Sequence, residues 1–114
     1  MRHIKVTHAE NIPLREGRTV KLGGLDIAIF NLGERFVAIE NSCPHGGGPL
    51  ADGIVSNFEG VATVTCPLHN WRICIDSGNV AKPSGERACV RTFDASVDAD
   101  GVVVVAMHEE RAAA

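Results

Sequence analysis

Apolar and polar residues alternate along most of this chain in short runs, and residues that favour tight turns separate the runs. A period of two marks strands with one buried face, and it predicts strands over residues 4–7, 19–22, 25–31, 35–40, 61–65, 72–75, 89–97 and 102–106. The connections carry Gly23-Gly24, Leu32-Gly33-Glu34, Asp76-Ser77-Gly78 and Asp98-Ala99-Asp100-Gly101, the residue types that tight turns require. No stretch sustains the 3.6-residue period of an amphipathic helix, so the pattern is that of an all-β sandwich or barrel.

Two segments interrupt the alternation. Residues 41–53 and, more briefly, 66–70 are too rich in Gly and Pro for strands and are expected to be loops. The tail, 107–114, is polar and then Ala-rich, and is expected to fray.

With 114 residues and 45% hydrophobic content the chain has material for one core and one domain, 1–114, and no room for a second. Eleven basic residues against 14 acidic give a net charge of -3 and no basic stripe, which argues against nucleic acid as a partner. No apolar run approaches the roughly 20 residues a membrane helix needs. Residues 1–6 alternate instead of forming a signal-peptide core. The expectation is a soluble, cytoplasmic protein with no membrane partner.

The chemistry concentrates in the two loops. The first carries Cys43-Pro44-His45 and the second Cys66-Pro67-Leu68-His69, so each offers one thiolate and one imidazole at close spacing. That is the ligand set of a Rieske-type 2Fe-2S centre, with Cys43 and Cys66 on one iron and His45 and His69 on the other. Two ferric ions, two sulfides and two thiolates sum to zero charge, whereas four thiolates would leave the oxidised centre doubly negative. An electron enters the neutral centre more easily, which is why Rieske potentials lie at about -150 to +300 mV and four-cysteine plant-type clusters near about -400 mV. A single tetrahedral zinc also accepts two cysteines and two histidines, but structural zinc sites more often pair cysteine with cysteine.

Gly46, Gly47 and Gly48 would let backbone N–H groups approach cluster sulfurs closely. Trp71 reads as core, and Asn70 and Arg72 as solvent-facing. Cys74 and Cys89 lie in apolar, strand-like stretches where a thiol acts as a small hydrophobe, and a reducing compartment disfavours a disulfide between them. His3, His8 and His108 read as surface residues.

Beyond the ligand boxes, Gly48-Pro49-Leu50, Asp52-Gly53, Asp76-Ser77-Gly78, Pro83, Val90-Arg91-Thr92-Phe93 and Asp100-Gly101-Val102-Val103-Val104 fall in an order that resembles the Rieske ferredoxin superfamily over nearly the whole chain. The resemblance implies an antiparallel β-sandwich with a small cluster-binding subdomain built from the two loops, and a loop near residues 81–85 in which Pro83 covers the cluster. The box Cys66-Pro67-Leu68-His69-Asn70-Trp71-Arg72-Ile73 and the long interval containing Asp52-Gly53-Ile54-Val55 look most like the small subunits of assimilatory NAD(P)H-dependent nitrite reductases. Ferredoxins of ring-hydroxylating dioxygenases usually carry Gly where Asn70 stands.

The implied role is electron transfer without catalysis by the chain alone. The implied partner is a large flavin, 4Fe-4S and sirohaem nitrite reductase subunit. The alternative is a free-standing ferredoxin between a ferredoxin reductase and an oxygenase, and a zinc-stabilised interaction module is a third reading. Respiratory and photosynthetic Rieske proteins carry further cysteines at the positions of Gly48 and Leu68, and stabilise the reduced centre with a tyrosine hydroxyl. This chain has no tyrosine, so a potential low in the Rieske range is expected.

Overall fold

A computed structural model describes residues 2–43, 47–58, 60–68, 70–82 and 88–107. Ten strands are present: β1 (Arg2–His8), β2 (Gly17–Leu22), β3 (Leu25–Asn31), β4 (Phe36–Glu40), β5 (Ile54–Phe58), β6 (Val61–Thr65), β7 (Arg72–Cys74), β8 (Val80–Lys82), β9 (Thr92–Val97) and β10 (Val102–Met107). Short 3-10 turns at Ala9–Asn11 and Leu50–Asp52 are the helical content among the described residues. Every strand pairing is antiparallel, as the all-β expectation required.

The strands form two sheets. One has the order β1-β10-β9-β4-β3-β2, and the other the order β5-β6-β7-β8. Its tight β2–β3 hairpin turns on Gly23 and Gly24, both at positive φ (59° and 87°), the conformation a two-residue turn needs to follow the twist of its strands.

β3 and β4 are buried on both faces, and this positions the loops. Ile27, Ile29 and Ala38 pack with Val103 and Val105 on one side. Ala28, Phe30, Val37 and Ile39 face the other way, onto Val64, Ile73, Ile75 and Val80 of the small sheet and its connection. A strand buried on both faces reads as a continuous apolar run, as Ile27-Ala28-Ile29-Phe30 does. The second of these cores contains Cys43 and Cys66.

Several predicted boundaries change. β5 and β8 were absent from the periodicity: β8 has three residues, too few to show a period, and β5 follows the first loop without a break. The strand expected over 89–97 begins only at Thr92. Ahead of it the chain turns a corner between sheets, with Cys89 bridging Asn79, the Val90 N–H donating to the Gly78 carbonyl (2.9 Å) and the Glu40 N–H donating to the Arg91 carbonyl (2.8 Å). Cys89 is therefore exposed, not a buried small hydrophobe, and Cys74 is half-buried; the two form no disulfide. Met107 belongs to β10, and 108–114 lie outside the described residues. His3 and His8 are exposed as expected, and no helix among the described residues is long and apolar enough to cross a membrane.

The sheets are tied by a bidentate ion pair between Arg35, in the β3–β4 turn, and Asp76, in the β7–β8 turn. Nη2 donates to Oδ2 at 2.8 Å, and Nη1 donates to Oδ1. The hydrogen bonds from Arg35 hold the Asp76 carboxyl below its ordinary range. A depressed carboxyl stabilises the fold above its unfolded pKa, about 3.9, and ceases to do so as pH falls through its folded value. Both side chains are roughly half exposed (42% and 47%), which limits the contribution to about 1 kcal/mol. Asp76→Asn is expected to cost up to about that amount at neutral pH. The gap from wild type should close below about pH 4, measured by urea unfolding at both pH values; a gap unchanged in acid contradicts the assignment.

Candidate metal centre

The two candidate loops have one backbone design. The Cys43 N–H donates to the Gly48 carbonyl (2.9 Å), and the Gly47 N–H donates to the Cys43 carbonyl (2.7 Å). In the second loop the Cys66 N–H donates to the Trp71 carbonyl (2.7 Å), and the Asn70 N–H donates to the Cys66 carbonyl (3.1 Å). Each loop closes through a left-handed residue, Gly47 at φ 78° and Asn70 at φ 60°. The cysteine heads each loop at the same structural position, although the spacing to the histidine differs between the two boxes.

A third loop shares this closure. The Cys74 N–H donates to the Asn79 carbonyl and the Gly78 N–H to the Cys74 carbonyl (both 2.8 Å), with Gly78 at φ 80°. Its interior holds Asp76 and Ser77 instead of a histidine, and Asp76 is committed to Arg35. The backbone is thus a general hairpin closure, and the side chains carried on it decide the chemistry.

Cys43 and Cys66 are buried, at 1% and 0% exposure. The loops press together at Gly48, where a Cβ would lie 2.8 Å from Cys66 Sγ and 3.3 Å from Leu68 Cδ1. Only a residue without a side chain lets the first loop lie against the second thiol. The Gly48 and Leu68 positions are neighbours across the loops, as the comparison with disulfide-bearing Rieske proteins implied; here glycine and leucine occupy them.

Asn41, which the sequence did not single out, anchors the first loop. Its Nδ2 donates to Thr19 Oγ1 (3.0 Å), its Oδ1 accepts the Ala51 N–H (2.7 Å), and its own N–H donates to the Asp26 carbonyl (2.9 Å). A lone Asn before a Gly- and Pro-rich run is indistinguishable in sequence from an ordinary turn residue.

His45 and His69 lie outside the described residues, as do Pro44, Gly46 and the Pro83 loop, 83–87. Trp71 is half-buried and packs against the core that holds the thiols, which meets the core expectation in part. Arg72 is half-buried, not solvent-facing, and Asn70 is exposed. Pro67 is exposed, and Leu68, at 64%, projects from the tip of the second loop.

Two buried thiols heading matched loops in mutual contact fit a group bound through sulfur. A 2Fe-2S cluster held there supplies reversible one-electron transfer. The chain's own part is to keep both sulfurs in an apolar setting and to fix the loops that carry the remaining ligand candidates.

Gly48→Ala is expected to lose most of the bound iron and acid-labile sulfide, because its methyl would displace Cys66 Sγ; full loading would refute the packing argument. Asn70→Gly is expected to keep its metal and to change unfolding stability by less than about 0.5 kcal/mol, since both residues accept a left-handed backbone. A large loss would give the Asn70 side chain a role in the site.

The Rieske [2Fe-2S] domain family matches residues 2–94. The 3-phenylpropionate/cinnamic acid dioxygenase ferredoxin subunit of Escherichia coli K12 is 42% identical over 52 residues, 46% of each chain, so the match spans about half the length of that relative. A Mycobacterium tuberculosis protein described as an NADH-dependent nitrite reductase small subunit superposes with a TM-score of 0.87 at 23% identity, covering 96% of this chain and 97% of that one. The ferredoxin of carbazole 1,9a-dioxygenase from Nocardioides aromaticivorans IC177 superposes at 0.79 with 24% identity, covering 93% and 98%. Both likenesses establish the fold. The antiparallel two-sheet architecture, the pair of buried thiols and a match across most of the length agree: the chain belongs to the Rieske [2Fe-2S] domain family, and its cofactor is a Rieske-type 2Fe-2S cluster.

Proposed function

We propose that this chain is the electron-transferring small subunit of a cytoplasmic NAD(P)H-dependent nitrite reductase, a single Rieske domain over 1–114 that relays electrons to or from a large flavin and sirohaem partner. Cys43 and Cys66 hold one iron of the cluster, and His45 and His69 hold the other. The observation that carries the electron-transfer role is the pair of buried thiols on matched, touching loops. The subunit reading is supported by the superposition over 96% of the chain and by the long interval between the ligand boxes, which forms the 3-10 turn Leu50–Asp52 and enters β5. A nicotinamide-fed partner accounts for a cytoplasmic setting.

A second reading has its own support. The 42% identity to a dioxygenase ferredoxin subunit favours a carrier that passes electrons from a reductase to an oxygenase, although it covers under half of the chain. The Asn70 position does not separate the two, because its left-handed φ is met equally by asparagine and glycine.

Anaerobically purified protein is expected to contain iron and sulfide in equal amounts and to give a Rieske electron paramagnetic resonance signal on reduction. Its potential should lie toward the about -150 mV end of the Rieske range. Zinc in place of iron would refute the cluster assignment. Co-expression with the host's large nitrite reductase subunit should yield a stable complex; a complex formed only transiently, with a reductase and an oxygenase, selects the carrier reading.

A further inference from the structure

Four strands form the edges of the two sheets: β1, β2, β5 and β8. An unprotected edge offers a row of unpaired N–H and C=O groups to another strand, so natural edges carry charges, bulges or brevity. β1 has a register break between Lys5 and Thr7, and β2 presents the exposed Arg18 and Lys21. β8 has three residues and ends in Lys82. β5 reads Ile-Val-Ser-Asn-Phe, with no charge, no proline and an unbroken register against β6.

The outward groups of β5 follow from its pairing. Phe58 and Val61 are partners across a two-residue connection, which makes theirs a hydrogen-bonded pair, and bonded pairs recur at Ser56–Thr63 and Ile54–Thr65. Ala62 agrees with this parity, since its carbonyl accepts the Ile75 N–H (3.0 Å) on the β7 side. Val55 and Asn57 therefore direct their N–H and C=O away from the sheet, and neither makes a further backbone hydrogen bond among the described residues. Beside them Ile54 is 72% exposed, the highest value among the large exposed apolar side chains described.

We infer that β5 is the interface at which a second copy of this chain adds, antiparallel, with Ser56 of each copy on the two-fold axis. In that register Val55 lies opposite Asn57 of the second copy, and each such pair exchanges two hydrogen bonds, so every outward group of Val55 and Asn57 is satisfied by its own symmetry mate. Self-complementarity selects a second copy as occupant, because the same four groups supply and accept every bond. Ile54 is brought opposite residue 58 of the second copy, on one face of a continuous eight-stranded sheet. The first ligand loop leads into β5, so the antiparallel arrangement sends the two metal centres to opposite ends and leaves each accessible to a redox partner. This inference is independent of the choice between nitrite reductase subunit and free carrier.

Sedimentation equilibrium of the cluster-loaded protein over a range of concentrations tests it. Wild type should approach twice the 12.1 kDa monomer mass as concentration rises. Ile54→Lys places a charge on the exposed rim of the edge, and Asn57→Pro removes an outward donor while leaving the β5–β6 ladder intact. Both variants should sediment as monomers with iron content and visible spectrum unchanged. A wild type that stays monomeric to the highest concentration attainable overturns the inference, and so does a dimer that survives Ile54→Lys, whatever the proline variant does.

Discussion

The structure turns on a steric constraint: Gly48 has no side chain, and the space where one would stand is filled by Cys66 Sγ. Through that contact two loops from different parts of the chain become one site. The first loop leaves β4 and returns along the sheet under the hold of Asn41, while the second springs from β6 of the small sheet. Each is stiffened by a pair of backbone hydrogen bonds around its cysteine and by a left-handed closing residue. Neither loop alone encloses a metal. Both are presented because β3 and β4 are buried on two faces and hold the small sheet against the large one.

The legibility of this arrangement in sequence follows from the range of the forces involved. Strands with one buried face advertise themselves through alternation, and β3 and β6 were delimited to the residue by it. β8 was invisible because three residues cannot display a period, and the corner ahead of β9 read as strand because Val90 turns inward at a bend, where burial no longer implies pleating. Cys89 was misjudged for the same reason: an apolar setting in sequence became an exposed bridge in space. The ligand thiols were legible because chemistry restricts which residues bind metal. The contact between Gly48 and Cys66 was not, since nothing local distinguishes a glycine kept for flexibility from one kept because a sulfur occupies its Cβ position.

The repeated loop closure bears on how members of this family come to serve different partners. The Cys74 loop adopts the same hydrogen-bonded form without a histidine, so the form is a property of short antiparallel connections and not of metal binding. Asparagine or glycine at position 70 then reports a backbone conformation that any loop of this kind requires. Partner choice must reside in what the loops and sheets show to the outside: the projecting Leu68, the half-buried Arg72 one strand residue beyond the second loop, and the uncharged edge of β5. Burial of both thiols reinforces this division, because it leaves the sulfur side of the site within the core and reserves recognition for residues that make no contribution to holding metal.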